Sequence, residues 1–122
     1  MRRTQRTGAP RPLSDAELEL IEALLGAAGA AAGRYLGQLP RVQVVGGCSC
    51  GCPSIDLAVE DGNRNERPVP VIVADAESPE GVPVGVILWA RGRALSGLEV
   101  HPWNGSDSVR LPAVDSLMNF RK

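Results

Sequence analysis

Two periodicities divide the chain. From Leu13 to Leu25 apolar residues recur every three or four positions. Leu18, Ile21 and Leu25 share a face with Leu24 beside them, while Glu19 and Glu22 point away. That spacing predicts an amphipathic helix. Ser14 is a good N-cap, and Glu17 three residues later completes a capping box, with Leu13 and Leu18 placed for a hydrophobic staple. Asp15 and Glu17 also suit the positive end of the helix dipole. Beyond Leu25, Gly26, Gly29, Gly33 and Gly37 punctuate an Ala-rich run. Each glycine costs about 1 kcal/mol against alanine inside a helix. The helix is therefore expected to break near Gly26, resume around Ala30 and end at Gly37, with Pro40 beyond as a stop. The alternative is a Gly/Ala ridge that lets another element lie close.

From Arg41 onward the period becomes two. Val42 and Val44 alternate with Arg41 and Gln43, and Ile55, Leu57 and Val59 alternate with Asp56, Ala58 and Glu60. Both stretches predict strands with one buried face, and Gly46-Gly47 should loosen the first before the cysteines. Val69–Ala74 predicts a third strand, whose Pro70 places its first residues at a sheet edge. Val84–Ala90 and Leu95–Trp103 form a hairpin through Arg91-Gly92-Arg93, with Gly92 supplying a positive φ. After the turn dipeptide Asn104-Gly105, Ser108–Leu111 suits a short last strand, and Val114–Phe120 a coil or short helix. Helices followed by strands, instead of alternating with them, imply an α+β fold: one or two N-terminal helices packed on an antiparallel sheet of about five short strands.

Composition narrows the function. The chain has 122 residues, enough for one domain, and carries 43% hydrophobic, 22% charged and 3% aromatic residues with a net charge of −1. So few aromatics argue against a stacking platform for single-stranded nucleic acid. The balanced charge supplies no field for DNA or an anionic membrane. No apolar run reaches the roughly 18 residues that span a bilayer. Nor is there a signal-peptide core after the basic start. The expected setting is cytoplasmic, with the cysteines as thiols. Residues 1–12 carry Arg2, Arg3, Arg6 and Arg11 among Thr, Gly and Pro, which reads as a flexible basic tail ahead of a single domain from 13 to 122.

All three cysteines fall in Gly46-Gly47-Cys48-Ser49-Cys50-Gly51-Cys52-Pro53-Ser54. In an extended chain Cys48, Cys50 and Cys52 share one face, neighbours roughly 6.5 Å apart. Three uses are open. With His101, the single histidine, they would form a Cys₃His set suited to tetrahedral zinc, although structural zinc sites usually space cysteines by two to four residues. Cys50 and Cys52 could form a strained, readily reduced disulfide, for which no base stands near in sequence. Or the sulfurs pack as small apolar groups in a tight turn.

A second cluster lies in the hairpin. Glu99, His101 and Trp103 share a parity opposite to Leu98 and Val100, so they should emerge on the face away from the core. Trp is enriched in binding hot spots, which makes these three a candidate partner-binding patch. The alternative is that Trp89 and Trp103 cover the edge of the core. No phosphate loop, nucleophile elbow or metalloprotease helix is present. The first expectation is therefore a non-enzymatic binding or regulatory module for a protein partner. A zinc-binding protein or a thiol-disulfide protein are the alternatives.

At Cys48-Ser-Cys-Gly-Cys-Pro-Ser-Ile-Asp-Leu57, and again at Val84-Gly-Val-Ile-Leu88 and Leu95-Ser-Gly-Leu-Glu-Val100, the chain resembles a group of small actinobacterial proteins built on a domain of unknown function. The resemblance runs from about Leu13 to Leu117 and is most specific at the cysteines. It implies a shared domain and a bacterial cytoplasmic setting, and it transfers no activity and no site residues.

Overall fold

The structure is a computed structural model that describes residues 4–5, 10–48, 53–59, 66–103 and 109–122. Helix α1 (Asp15–Ala28) starts as its capping box dictates. The Glu17 amide donates to Ser14 Oγ at 3.2 Å and the Ser14 amide donates to Glu17 Oε1 at 2.8 Å. Arg11 clamps the same carboxylate with two bonds of 2.9 Å. Burial pushes the Glu17 carboxyl up, but the Arg11 guanidinium and the Ser14 bonds outweigh it and hold it below the ordinary carboxylate value. Glu17 can thus sit buried as a charged group, because its oxygens are bonded and paired.

The buried stripe of α1 is Leu20, Ile21, Leu24, Leu25 and Ala28. It is rotated from the expected face, since Leu18 is only partly buried. The helix also runs through Gly26 and ends at Ala28, with Gly29 as its C-cap. Gly29 adopts φ +73 and ψ −138, a conformation that favours glycine. A 3₁₀ turn (Gly29–Ala32), α2 (Gly33–Leu36) and a second 3₁₀ turn (Leu39–Arg41) follow. A Cβ on Gly26, Gly33 or Gly37 would meet nothing within 4 Å, so these glycines serve no close approach.

Eight strands follow or flank the helices: β1 (Thr4–Gln5), β2 (Arg11–Pro12), β3 (Gln43–Cys48), β4 (Ile55–Ala58), β5 (Pro68–Glu77), β6 (Pro83–Arg91), β7 (Ala94–Pro102) and β8 (Met118–Arg121). Seven lie in the order β1-β3-β4-β7-β6-β5-β8, and β2 pairs with β3 off that path. Every pairing is antiparallel. The fold is α+β, as expected, but the sheet is larger than five strands. The additional strands, β1, β2 and β8, have two to four residues, too few for an alternation to show in sequence. Two of them fall in the stretch expected as a tail, where Thr4–Gln5 and Arg11–Pro12 pair with β3. The expected strand at Ser108–Leu111 is instead irregular over its described residues 109–111, and β8 follows a 3₁₀ turn (Val114–Ser116).

Period two sets the layers. Val84, Val86 and Leu88 of β6 and Leu98 and Val100 of β7 are fully buried and join the α1 stripe in one core. Gly85, Ile87 and Trp89 alternate with them in β6, as Glu99 and His101 do in β7. These residues form the opposite, outer face of the sheet. Pro68 and Pro70 sit where β5 pairs with β6 alone, since β8 covers only its Val73–Asp75 stretch. Without amide hydrogens, prolines leave such an edge less able to recruit another strand.

The sheet has two distinct ends. At one, the β6–β7 turn (Gly92-Arg93) meets the start of β3, the end of β4 and the start of β5. At the other, β3 leaves at Cys48 and the chain re-enters at Pro53, beside the His101 end of β7. The Ser54 hydroxyl fixes that end: it accepts from the Val100 amide at 2.8 Å and donates to the Val100 carbonyl at 3.1 Å. Among the described residues no helix is long and apolar enough to cross a membrane.

Candidate functional site

The outer face of β6 and β7 carries the site. Antiparallel register places His101 beside Gly85, Glu99 beside Ile87, and Trp89 beside Gly97, which in turn faces Asp56; Asp75 and Val73 lie one strand further on, in β5, opposite Gly85 and Ile87. Cross-strand neighbours on one face stand within contact distance. The side chains then link in a chain. The indole of Trp89 donates to Glu99 Oε1 at 3.1 Å. The other oxygen, Oε2, lies 3.5 Å from His101 Nδ1. The imidazole meets the Trp103 ring edge-on, with centroids 5.0 Å apart and planes at 76°, a favoured aromatic arrangement.

Glycine makes this stacking geometrically feasible. A Cβ on Gly85 would lie 2.7 Å from both Cε1 and Nε2 of His101 and 3.2 Å from Trp103 Cζ2. The ring therefore rests directly on the β6 backbone, and any larger residue at 85 must displace it. Trp103 follows the strand, its amide donating to the Pro83 carbonyl at 3.0 Å. Its side chain projects outward with the residue 59% exposed. Trp103 does not cover the core, which removes the packing explanation for it. Trp89 is half-buried between the two roles.

His101 Nδ1 is the one buried side-chain polar atom without a hydrogen bond among the described residues. Its 3.5 Å approach to Glu99 is within ion-pair range without being a hydrogen bond, and it becomes an ion pair only when the imidazole is protonated. Fully satisfied polar groups are the rule in folded proteins, and exceptions concentrate where function competes with packing.

Glu99, His101 and Trp103 are thus brought together as their shared parity requires. The sequence reading lacked Gly85, Ser54 and the role of Trp89 as the donor that orients Glu99. A glycine flanked by valines in a strand, as in Val84-Gly85-Val86, is a signal of close approach by another group. For the proposed metal ligands the picture is partial. Cys50 and Cys52 lie outside the described residues, Cys48 is described only as the last backbone position of β3, and His101 stands at the same end of the sheet. Among the described residues, no three His, Cys, Asp or Glu side chains cluster as metal ligands. In comparisons with family models, curated proteins and solved structures, nothing matches the chain.

Proposed function

We propose that this protein is a non-enzymatic binding module, and that its contact surface is the outer face of the β6–β7 hairpin centred on Trp103, His101 and Glu99. One observation carries the reading: Trp103, a large apolar side chain, stands out from the sheet on a support of His101 and Gly85 when it could have been tucked away. An exposed tryptophan held in place by its neighbours has little rotamer freedom left to lose on binding. Along the same outer face lie Ile87, Trp89 and Val73 and the Glu99 carboxylate, while Asp75 on β5 is already paired with Arg121 at 3.3 Å. The fitting partner is a protein surface that offers apolar side chains around a lysine or arginine. A cation there could pair with Glu99 and lie against an indole.

The test is affinity capture followed by measurement. Wild-type protein should retain a partner that Trp103→Ala loses and that Glu22→Ala, on the exposed side of α1, keeps. With that partner purified, Trp103→Ala should weaken binding by about tenfold or more, as hot-spot truncations do. Equal affinity for both proteins would remove this face from the function.

A second reading has a specific observation behind it. The strand ends that flank the cysteine segment, Cys48 and Pro53, stand beside the His101 end of β7. That placement supports a zinc site from Cys48, Cys50, Cys52 and His101. Zinc analysis of protein purified without chelator tests it: near-stoichiometric metal, reduced in His101→Ala, supports the site. Metal-free protein with thiols that react only on unfolding returns the cysteines to a packing role. Rapid exchange of Cys50 and Cys52 with a small disulfide would favour the thiol-disulfide alternative.

A further inference from the structure

Four neighbouring strands carry the outer face, in the order β7, β6, β5 and β8. Register fixes which side chains stand in line across them. Glu99 of β7 pairs with Ile87 of β6, Ile87 with Val73 of β5, and Val73 with Arg121 of β8. Directly paired residues share a face, so one row runs acid, apolar, apolar, base. With strands about 4.8 Å apart, the ends of that row lie about 14 Å from each other. The next row runs from His101 through Gly85 and Asp75 to Met118. Met118 is 51% exposed at the β8 margin, and Trp103, which follows β7, is 59% exposed at the other. Exposed apolar groups gathered on one face mark an interaction surface.

This face is complementary to itself. A second copy, turned by 180° about an axis parallel to the strands and laid outer face on outer face, presents the row in reverse. Glu99 then stands over the second copy's Arg121, and Ile87 over its Val73. Trp103 comes over the margin that carries Met118. Symmetry makes each contact twice, as in every isologous dimer. Sheets stacked face to face keep their strands nearly aligned about 10 Å apart, a gap that glutamate and arginine side chains bridge. Both charged residues are already engaged within their own copy. Trp89 donates to Glu99, and Arg121 Nη2 donates to Asp75 at 3.3 Å. These bonds orient the two groups without filling them, since a guanidinium offers five N–H donors and a carboxylate about four lone-pair sites.

On the binding face proposed above, on which this rests, we infer that the occupant is a second copy of this chain. The two sheets dock with Glu99 against Arg121 and Trp103 against the Met118 margin. The partner chemistry that the face calls for, apolar side chains around an arginine, is present on the face itself, where Val73 and Met118 stand beside Arg121.

Sedimentation velocity of the full chain, from micromolar to millimolar concentration, tests this. A concentration-dependent dimer is expected. Trp103→Ala should weaken it by about tenfold or more and Glu22→Ala should leave it unchanged. Met118→Ser, at an exposed position outside every ion pair, should weaken it by about threefold or more. Glu99→Arg alone and Arg121→Glu alone each set like charges opposite one another twice, and each should weaken the dimer by about fivefold or more. Mixed in equal amounts, these two variants should form a heterodimer about as stable as the wild-type dimer, because both contacts then join opposite charges. Mixing rescues neither a misfolded chain nor a lost local bond. A protein that stays monomeric at millimolar concentration overturns the second copy as occupant, and Trp103-dependent capture of a different protein would then leave the face itself standing. A dimer that Trp103→Ala and Met118→Ser do not weaken, or that the mixture does not restore, overturns it as well.

Discussion

At the scale of single residues, the outer face depends on small groups at fixed places. Ser54 is the clearest example. It is 2% exposed, and its hydroxyl satisfies both backbone groups of Val100, next to the residue that carries the imidazole. Ser54→Ala leaves a buried amide and a buried carbonyl without partners, a loss of about 1–3 kcal/mol. Chemical denaturation should show it as a lower midpoint with an unchanged slope. A serine after a proline gave no hint of this role, because the bond is to a strand far along the chain. By contrast Ser14 and Glu17 were readable at once, since a capping box is a local device whose partners are three residues apart.

At the scale of elements, the period-two alternation placed the buried and open faces of β6 and β7 correctly, down to Glu99 and His101 facing away from Leu98 and Val100. The positive φ at Gly92 was visible in Arg91-Gly92-Arg93, whereas the connection is a two-residue turn, Gly92-Arg93, because Arg91 and Ala94 pair as the last rung of the ladder. The helix break was not. Composition alone treats Gly26 and Gly29 alike, and the difference arises because α1 buries Leu24, Leu25 and Ala28 on either side of Gly26 and so carries the helix past it. Two substitutions separate them. Gly26→Ala should stabilise the protein by about 0.5–1 kcal/mol, because its site is helical and open. Gly29→Ala should destabilise it by about 1–3 kcal/mol, because φ +73 with ψ −138 strains any side chain. Thermal or denaturant unfolding of the pair decides whether the break lies where the backbone puts it. The short strands β1, β2 and β8 were illegible for a different reason: their pairing is imposed by the neighbours β3 and β5, with little pattern of their own.

At the scale of the whole molecule, the helices cover one face of the sheet, its other face carries Glu99, His101 and Trp103, and the two ends of that sheet hold different groups. At one end the Gln38 side chain donates to the Arg93 carbonyl and accepts from the Leu95 amide. At the other stand Trp103, His101 and the flanks of the cysteine segment. Neither arrangement is needed for a core that already joins α1 to the strands in one cluster. What was legible beforehand was the parity of the three hairpin residues. What was not was the floor beneath them, because Gly85 acts through a contact across strands.

Gly85→Ala is the most direct probe of that arrangement. The added methyl group collides with the far end of the His101 side chain, which can swing away, so stability should change by less than about 1 kcal/mol, within the range of glycine-to-alanine effects. The imidazole, however, must leave its position, and the Trp103 ring that meets it edge-on loses that support. Measured against the captured partner, the account predicts an affinity loss of about tenfold or more at nearly unchanged stability. Undiminished affinity in a Gly85→Ala protein whose His101 and Trp103 signals have shifted would contradict it.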